Sequence, residues 1–343
     1  QDPQKQIPMT EDSIFRIYSM TKPIISTAAM MLNEDGLIYL HENLNKYIPE
    51  FDNMTVSTSY IDKKGKKQER VVEAKNKIRI HNLLNHTSGL TYGTFGTSFA
   101  KKRLKSSEIS KLNLEDISLK QYVKELSKFP LAYNPNTVWE YGRSIEVLGR
   151  VIELASNKTL DVYLKDKIFK PLDMIDTAFY VEESKWHRIA EPFKDKQPKL
   201  ISIRDKPNFL TGGHGLVSTI DDYMKFCMMF LKKGKVNNNS ILSRKTIEYM
   251  TSNHLGNNIS RDTPLYLPGP GYGFGLGFAV RESNGLSSWP GSKGEYFWAG
   301  YAGTYFWIDP KEELIVISMT QSVTNRMKFR LLLRNLVYQA IIN

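Results

Sequence analysis

Ser19-Met20-Thr21-Lys22 is the pattern in this sequence with the clearest chemistry: a serine and a lysine three apart, opening an apolar helical run. Residues i and i+3 share a helical face, so the Lys22 amine can reach the Ser19 hydroxyl. The N-terminal end of a helix also favours negative charge developing on a nearby oxygen. A lysine withdrawn from water binds its proton less tightly and can serve as a base. Together these point to a serine nucleophile with a lysine partner. A second match, Ser98-Phe99-Ala100-Lys101, lies in a Gly-, Ser- and Lys-rich segment with no apolar helix after it and reads as chance. Other catalytic signatures are missing: no G-x-S-x-G, no H-E-x-x-H, no phosphate-binding glycine loop. The six histidines are scattered, and His81 and His86, five apart, are badly spaced for a shared metal. Cys227 stands alone in an apolar stretch and reads as a buried thiol. No metal and no organic cofactor is called for.

The elements that must hold these groups follow from periodicity. Thr21 to Leu40 is helical, with Ile24, Ile25, Ala28, Ala29, Met31 and Leu32 as its apolar set and Gly36 as a stop. Val56 and Val71-Val72 could pair as a hairpin around Lys64-Gly65-Lys66. Ser144 to Ala155 is amphipathic. Thr219 to Leu231 reads as a helix capped by Thr219 or Ser218, with Asp221 and Asp222 in its first turn. Tyr272 to Val280, Tyr296 to Trp298, Thr304 to Ile308 and Leu314 to Met319 read as antiparallel strands, with a turn at Asp309 to Glu312 and a closing helix from Asn325 to Ile342. This predicts an α+β chain: an antiparallel sheet flanked by helices beside a mainly helical domain. The expected division is 1–79 and 206–343 for the sheet-bearing part and 80–205 for the helical part, with the active site between them.

With 343 residues, the chain is long enough for a large core. Lys and Arg number 47 against 36 Asp and Glu, a net charge of +11. The excess gathers in Lys63 to Arg70 and Lys101 to Lys111, which lack interleaved aromatics or zinc spacing and read as solvated loops, not as a nucleic-acid surface. No apolar run is long enough to span a membrane.

Four ordered segments add context. They are Phe15 to Pro23, His81-Asn82-Leu83-Leu84-Asn85-His86-Thr87-Ser88-Gly89-Leu90, Gly213 to Thr219, and Trp298-Ala299-Gly300-Tyr301-Ala302-Gly303-Thr304. From about Met9 to the last helix the chain resembles the serine β-lactamase-like superfamily, and most of all the family VIII carboxylesterases. Relatives there include class C β-lactamases, D-alanyl-D-alanine peptidases and a polyketide acyltransferase. The resemblance places the second catalytic motif at Tyr141-Gly142-Arg143 and the third at Trp298-Ala299-Gly300. It implies Ser19, Lys22 and Tyr141 as catalytic residues. It implies the backbone N–H groups of Ser19 and Tyr301 as an oxyanion hole, and Trp298, Gly300, Arg143 and His214 as substrate contacts. His86 and Ser88 are expected to fix their loop by hydrogen bonds.

Two departures from the lactamase pattern matter. Arg143 stands where an asparagine holds the β-lactam amide, and Trp298 where a lysine binds a carboxylate. Both favour a neutral small-molecule ester as substrate. Alternatives from the same resemblance are a lactamase or peptidase, an acyltransferase, and a catalytically silent binding or filament-forming homologue. Members of the family also carry two strands ahead of the nucleophile segment, and here eighteen residues precede Ser19. The expectation is a longer natural precursor, or a sheet edge covered by a second copy in a homo-oligomer.

Overall fold

The computed structural model describes residues 1–94, 98–107, 109, 117–193, 198–236, 239–263 and 265–342. A two-residue strand, β1 (Phe15–Arg16), leads through a 3₁₀ turn, Tyr18–Met20, into α1 (Thr21–Glu34). Every residue of α1 from Thr21 to Met30 is buried, which suits a run apolar on almost all sides. Gly36, at φ 70, ends it where expected. The hairpin forms as β2 (Thr55–Ile61) and β3 (Lys67–Glu73), with Val56 opposite Val72 and Gly65 in the turn.

Helices follow: α2 (Ile80–Leu84), α3 (Phe99–Ser106), α4 (Leu119–Leu126), α5 (Ser144–Ser156) and α6 (Leu160–Leu164). Helix α3 corrects the reading of the second basic stretch. Ser98 caps it by accepting from the Lys101 amide at 3.3 Å, and Lys101 is buried against Glu140 at 2.8 Å. Residues 108 and 110–111 of that stretch lie outside the described residues.

Strand β4 (Val217–Ser218) pairs with β1. It runs into α7 (Ile220–Leu231), whose cap is Thr219, accepting from the Asp222 amide at 3.2 Å. A short pair, β5 (Lys235–Val236) and β6 (Asn239–Ser240), precedes α8 (Arg244–Met250). Tyr272 to Val280 is not one strand but two, β7 (Tyr272–Phe274) and β8 (Ala279–Arg281), because the chain reverses through Gly275–Gly277, with Gly277 at φ 96. With β9 (Tyr296–Ala299), β10 (Tyr305–Asp309) and β11 (Leu314–Ser318) they make an antiparallel five-stranded sheet in the order β11-β10-β9-β8-β7. The chain closes with α9 (Arg326–Gln339).

Neighbouring residues of β10 show why its apolar run is unbroken. Phe306 faces Tyr223 of α7 at 5.1 Å between ring centroids, while Trp307 stacks on Tyr338 of α9 at 6.1 Å. Both faces of the sheet are therefore covered. A buried ion cluster clamps α9 down: Glu295 takes Arg334 at 2.6 Å and Arg281 at 3.0 Å, and the Tyr338 hydroxyl at 2.6 Å. Strand β11 is the outer, half-buried strand, and the outward side of α9 exposes Phe329, Leu332 and Leu336.

Candidate active site

Ser19 sits in the 3₁₀ turn, one residue after Tyr18, which takes a left-handed conformation at φ 45. A non-glycine residue holds that region only when its surroundings enforce it. Here they do. Ile17 N–H donates to Leu216 O at 3.1 Å, Thr304 Oγ1 donates to Ile17 O at 3.2 Å, and the Tyr18 hydroxyl accepts from Ile201 N–H at 3.1 Å. The end of β9 presses on the same turn. A Cβ at Gly300 would lie 2.5 Å from Ile17 O and 2.0 Å from Thr304 Oγ1, so only glycine fits there.

Tyr141 Oη lies 2.7 Å from Ser19 Oγ. Lys22 Nζ lies 3.2 Å from the same oxygen, 3.2 Å from Tyr92 Oη and 2.7 Å from Gly213 O. Lys22 is 1% exposed, and its ammonium also lies 4.8 Å from the centre of the Tyr141 ring. Tyr141 is wedged among Trp139, His86, Tyr92 and Trp298, with ring centroids between 5.1 and 6.0 Å away.

Behind this triad is a carboxylate that sequence reasoning passed over. Glu146, wholly buried in α5, takes the Arg143 guanidinium at 3.0 Å and approaches His214 Nδ1 and Tyr92 Oη at 3.5 Å. Gly213 makes room for it, since a Cβ there would fall 2.4 Å from Glu146 Oε1. Burial works against the Glu146 charge, but His214, Arg143 and Lys22 outweigh it and hold the carboxyl well below the usual range. Burial, reinforced by Glu146 and Tyr141, pushes the Tyr92 hydroxyl well up, so it stays protonated. The Arg143–Glu146 spacing looks in sequence like an exposed helical ion pair. The sequence signal for its burial was a charged residue between Ile145 and Val147 in a buried helix.

A cleft of about 620 Å³ opens over Ser19. Of the residues expected in the site, Ser19, Tyr141, Arg143, His214, Trp298, Gly300 and Tyr301 line it, and Lys22 lies buried behind Ser19. Much of the remaining wall is apolar: Leu265, Leu267, Trp289, Phe297 and Leu331. The Arg143 guanidinium is held by Glu146 and stacks over Tyr92 at 4.4 Å. His86 differs from expectation. Among the described residues neither ring nitrogen has a hydrogen-bond partner, and the ring packs against Trp139, Tyr141 and Phe274. Ser88 does bond, to Ser144 Oγ at 2.9 Å and from Leu90 N–H at 3.2 Å. Ser98, of the second S-x-x-K, has no such setting, because the amine of Lys101 goes to Glu140. Among the described residues no group of three His, Cys, Asp or Glu could hold a metal ion, and no helix is long and apolar enough to cross a membrane.

An uncharacterized protein of Mycobacterium tuberculosis is 30% identical over 338 residues, covering 92% of this chain and 79% of its own length. Esterase EstB of Burkholderia gladioli is 32% identical over 211 residues, 61% of this chain and 49% of EstB. Among solved structures, EstCE1, described as a hydrolase with promiscuous acyltransferase activity, superposes with a TM-score of 0.79 at 25% identity, over 98% of this chain and 88% of that one. The Beta-lactamase family model matches residues 1–339, and the chain therefore belongs to the Beta-lactamase family, a family of serine hydrolases with esterase and acyltransferase members.

Proposed function

We propose that this protein cleaves carboxylic esters through an acyl-enzyme on Ser19. The observation that carries the reading is the placement of Ser19 Oγ, 2.7 Å from Tyr141 Oη and 3.2 Å from Lys22 Nζ, at the floor of a largely apolar cleft. Ser19 attacks the ester carbonyl, and its proton passes into the Lys22–Tyr141 pair. The backbone N–H groups of Ser19 and Tyr301 receive the oxyanion. Collapse of the tetrahedral intermediate breaks the bond to the alcohol, which leaves with a proton from the same pair. Water then adds to the acyl-serine and regenerates Ser19. Leu265, Leu267 and Phe297 suit short-to-medium acyl chains. Trp298 offers no cation for a β-lactam carboxylate, which favours esters over lactams.

The test pairs p-nitrophenyl butyrate with nitrocefin. The expected result is rapid turnover of the ester, little of the lactam, and loss of both in Ser19→Ala with Ser98→Ala unchanged. Ester turnover in Ser19→Ala above roughly a hundredth of wild type, or fluorophosphonate labelling at Ser98, overturns the assignment. The same assay with an added alcohol reads acyl transfer, the second reading, which the similarity to EstCE1 favours.

A further inference from the structure

We propose that a second cavity, which shares no lining residue with the Ser19 cleft, binds a small hydroxyl-rich molecule carrying a phosphomonoester. The cavity holds about 560 Å³, within the usual range for small-molecule sites and well beyond a bare ion. Lys75, Lys77, Arg79, His41 and His81 supply its charged and titratable groups, and among the described residues no carboxylate lines it.

The cations are mostly uncompensated. Lys77 is paired with Asp52 at 2.7 Å. Among the described residues neither Lys75 nor Arg79 has an ion-pair partner. Burial, the neighbouring His254 and Arg79 together hold the His81 imidazole down at about 4, so His81 is neutral near pH 7 and the positive charge of the cavity comes from the lysines and Arg79. A dianion relieves such a cluster, and the guanidinium fork and two ammonium groups match a tetrahedral phosphate.

The walls are fixed by backbone pairing. Leu44 N–H donates to Ile78 O at 2.7 Å, Ile80 N–H to Glu42 O at 3.1 Å, and His81 N–H to Leu40 O at 2.9 Å. Asn43, Asn76, Asn82, Asn136 and Tyr249 line the cavity beside the cations. Asn82 is 2% exposed and locked by Arg79 N–H at 2.9 Å and Thr87 Oγ1 at 2.9 Å. Asn82 therefore shapes the wall, and the amides of Asn43, Asn76 and Asn136, which both donate and accept, suit a polyol attached to the phosphate.

Calorimetry at low ionic strength with glucose 6-phosphate, and with glucose as the uncharged control, tests this. Glucose 6-phosphate is expected to bind and glucose not. The double variant Lys75→Gln/Arg79→Gln and the charge insertion Asn43→Asp are each expected to weaken binding by roughly tenfold or more. All three positions are exposed, so the core is untouched. Hydrolysis of p-nitrophenyl butyrate is expected to be unchanged in both variants. Equal heats for the two sugars overturn the proposal, as does undiminished binding in both variants, which places the anion elsewhere on the basic surface. Binding to anionic phospholipid vesicles without binding of glucose 6-phosphate also overturns it, by assigning the phosphate to a membrane.

Discussion

Lys22 donates to three oxygens, and none of them is a carboxylate. Its charge is balanced one step away by Glu146, which also serves Arg143 and His214. Glu146→Gln therefore leaves three basic groups in a buried site without their acid. The expected cost is about 3 kcal/mol of stability, the usual scale for breaking a buried pair from one side. The pH profile of kcat/KM should also move to lower pH, because losing the carboxylate disfavours every protonated group around it. A destabilised variant with an unmoved profile would show that Glu146 only packs. Lys22→Ala and Tyr141→Phe are each expected to lower the rate by about 10²–10⁴ with the fold intact by circular dichroism. At this scale the sequence was legible where spacing carries geometry: Ser19, in the 3₁₀ turn, and Lys22, in the first turn of α1, are three apart, and they meet. Glu146 and Tyr92 were not legible. Their roles arise from α5 and the loop after Leu90 closing on α1, contacts that no local spacing encodes.

The strand that ends at Gly300 and the turn that holds Ser19 behave as one element. Thr304 Oγ1 bonds to Ile17 O at 3.2 Å, and Arg330 Nη2 bonds to Gly300 O at 2.5 Å and Thr304 O at 3.1 Å. Helix α9 thus pins the strand, and the strand pins the nucleophile turn. Gly300→Ala places a methyl 2.5 Å from the Ile17 carbonyl, a backbone atom with little room to yield. Overpacking of this kind usually costs about 1–3 kcal/mol. The turn should shift as well, so fluorophosphonate labelling of Ser19 should slow by more than the loss in thermal midpoint accounts for. Labelling at the wild-type rate would separate strand from turn. Elements with strong internal periodicity, such as α1, α5, α7 and the β2–β3 hairpin, were legible in advance. The β7–β8 reversal was not, because Tyr272 to Val280 is apolar enough for one strand, and the turn is enforced at Gly277, at φ 96. Helix α3 was missed because its anchor is the distant Glu140, not an apolar stripe of its own.

Across the whole molecule, four of the six histidines titrate below their ordinary value, and burial is the first cause in each. His86 is held down at about 3 and His81 at about 4, while His214 and His254 are also lowered. The unfolded chain takes up these protons near pH 6.5. Above that value neither state binds them, and the histidines leave stability unaffected. Below it the unfolded state gains protons that the folded state refuses, so stability falls as the pH drops from 6.5 toward the folded values. Each unmatched proton contributes a slope of about 1.4 kcal/mol per pH unit. Below about pH 4.3 the depressed carboxyl of Glu146 adds a loss in the same direction. The basic patches therefore matter less to acid sensitivity than the buried imidazoles, whose nitrogens at His86 have no hydrogen-bond partner among the described residues. Denaturant midpoints measured at pH 7.5, 6.0 and 5.0 are expected to fall across the series. His86→Asn is expected to reduce the slope by about one proton, because asparagine tolerates the left-handed backbone at φ 58 and does not titrate. That variant also leaves a void beside Trp139 and Tyr141, so its absolute stability drops, and the slope is the quantity that discriminates. Midpoints independent of pH between 7.5 and 5.0 would mean that these histidines are protonated in the folded state, and that the ring of His86 has found a partner.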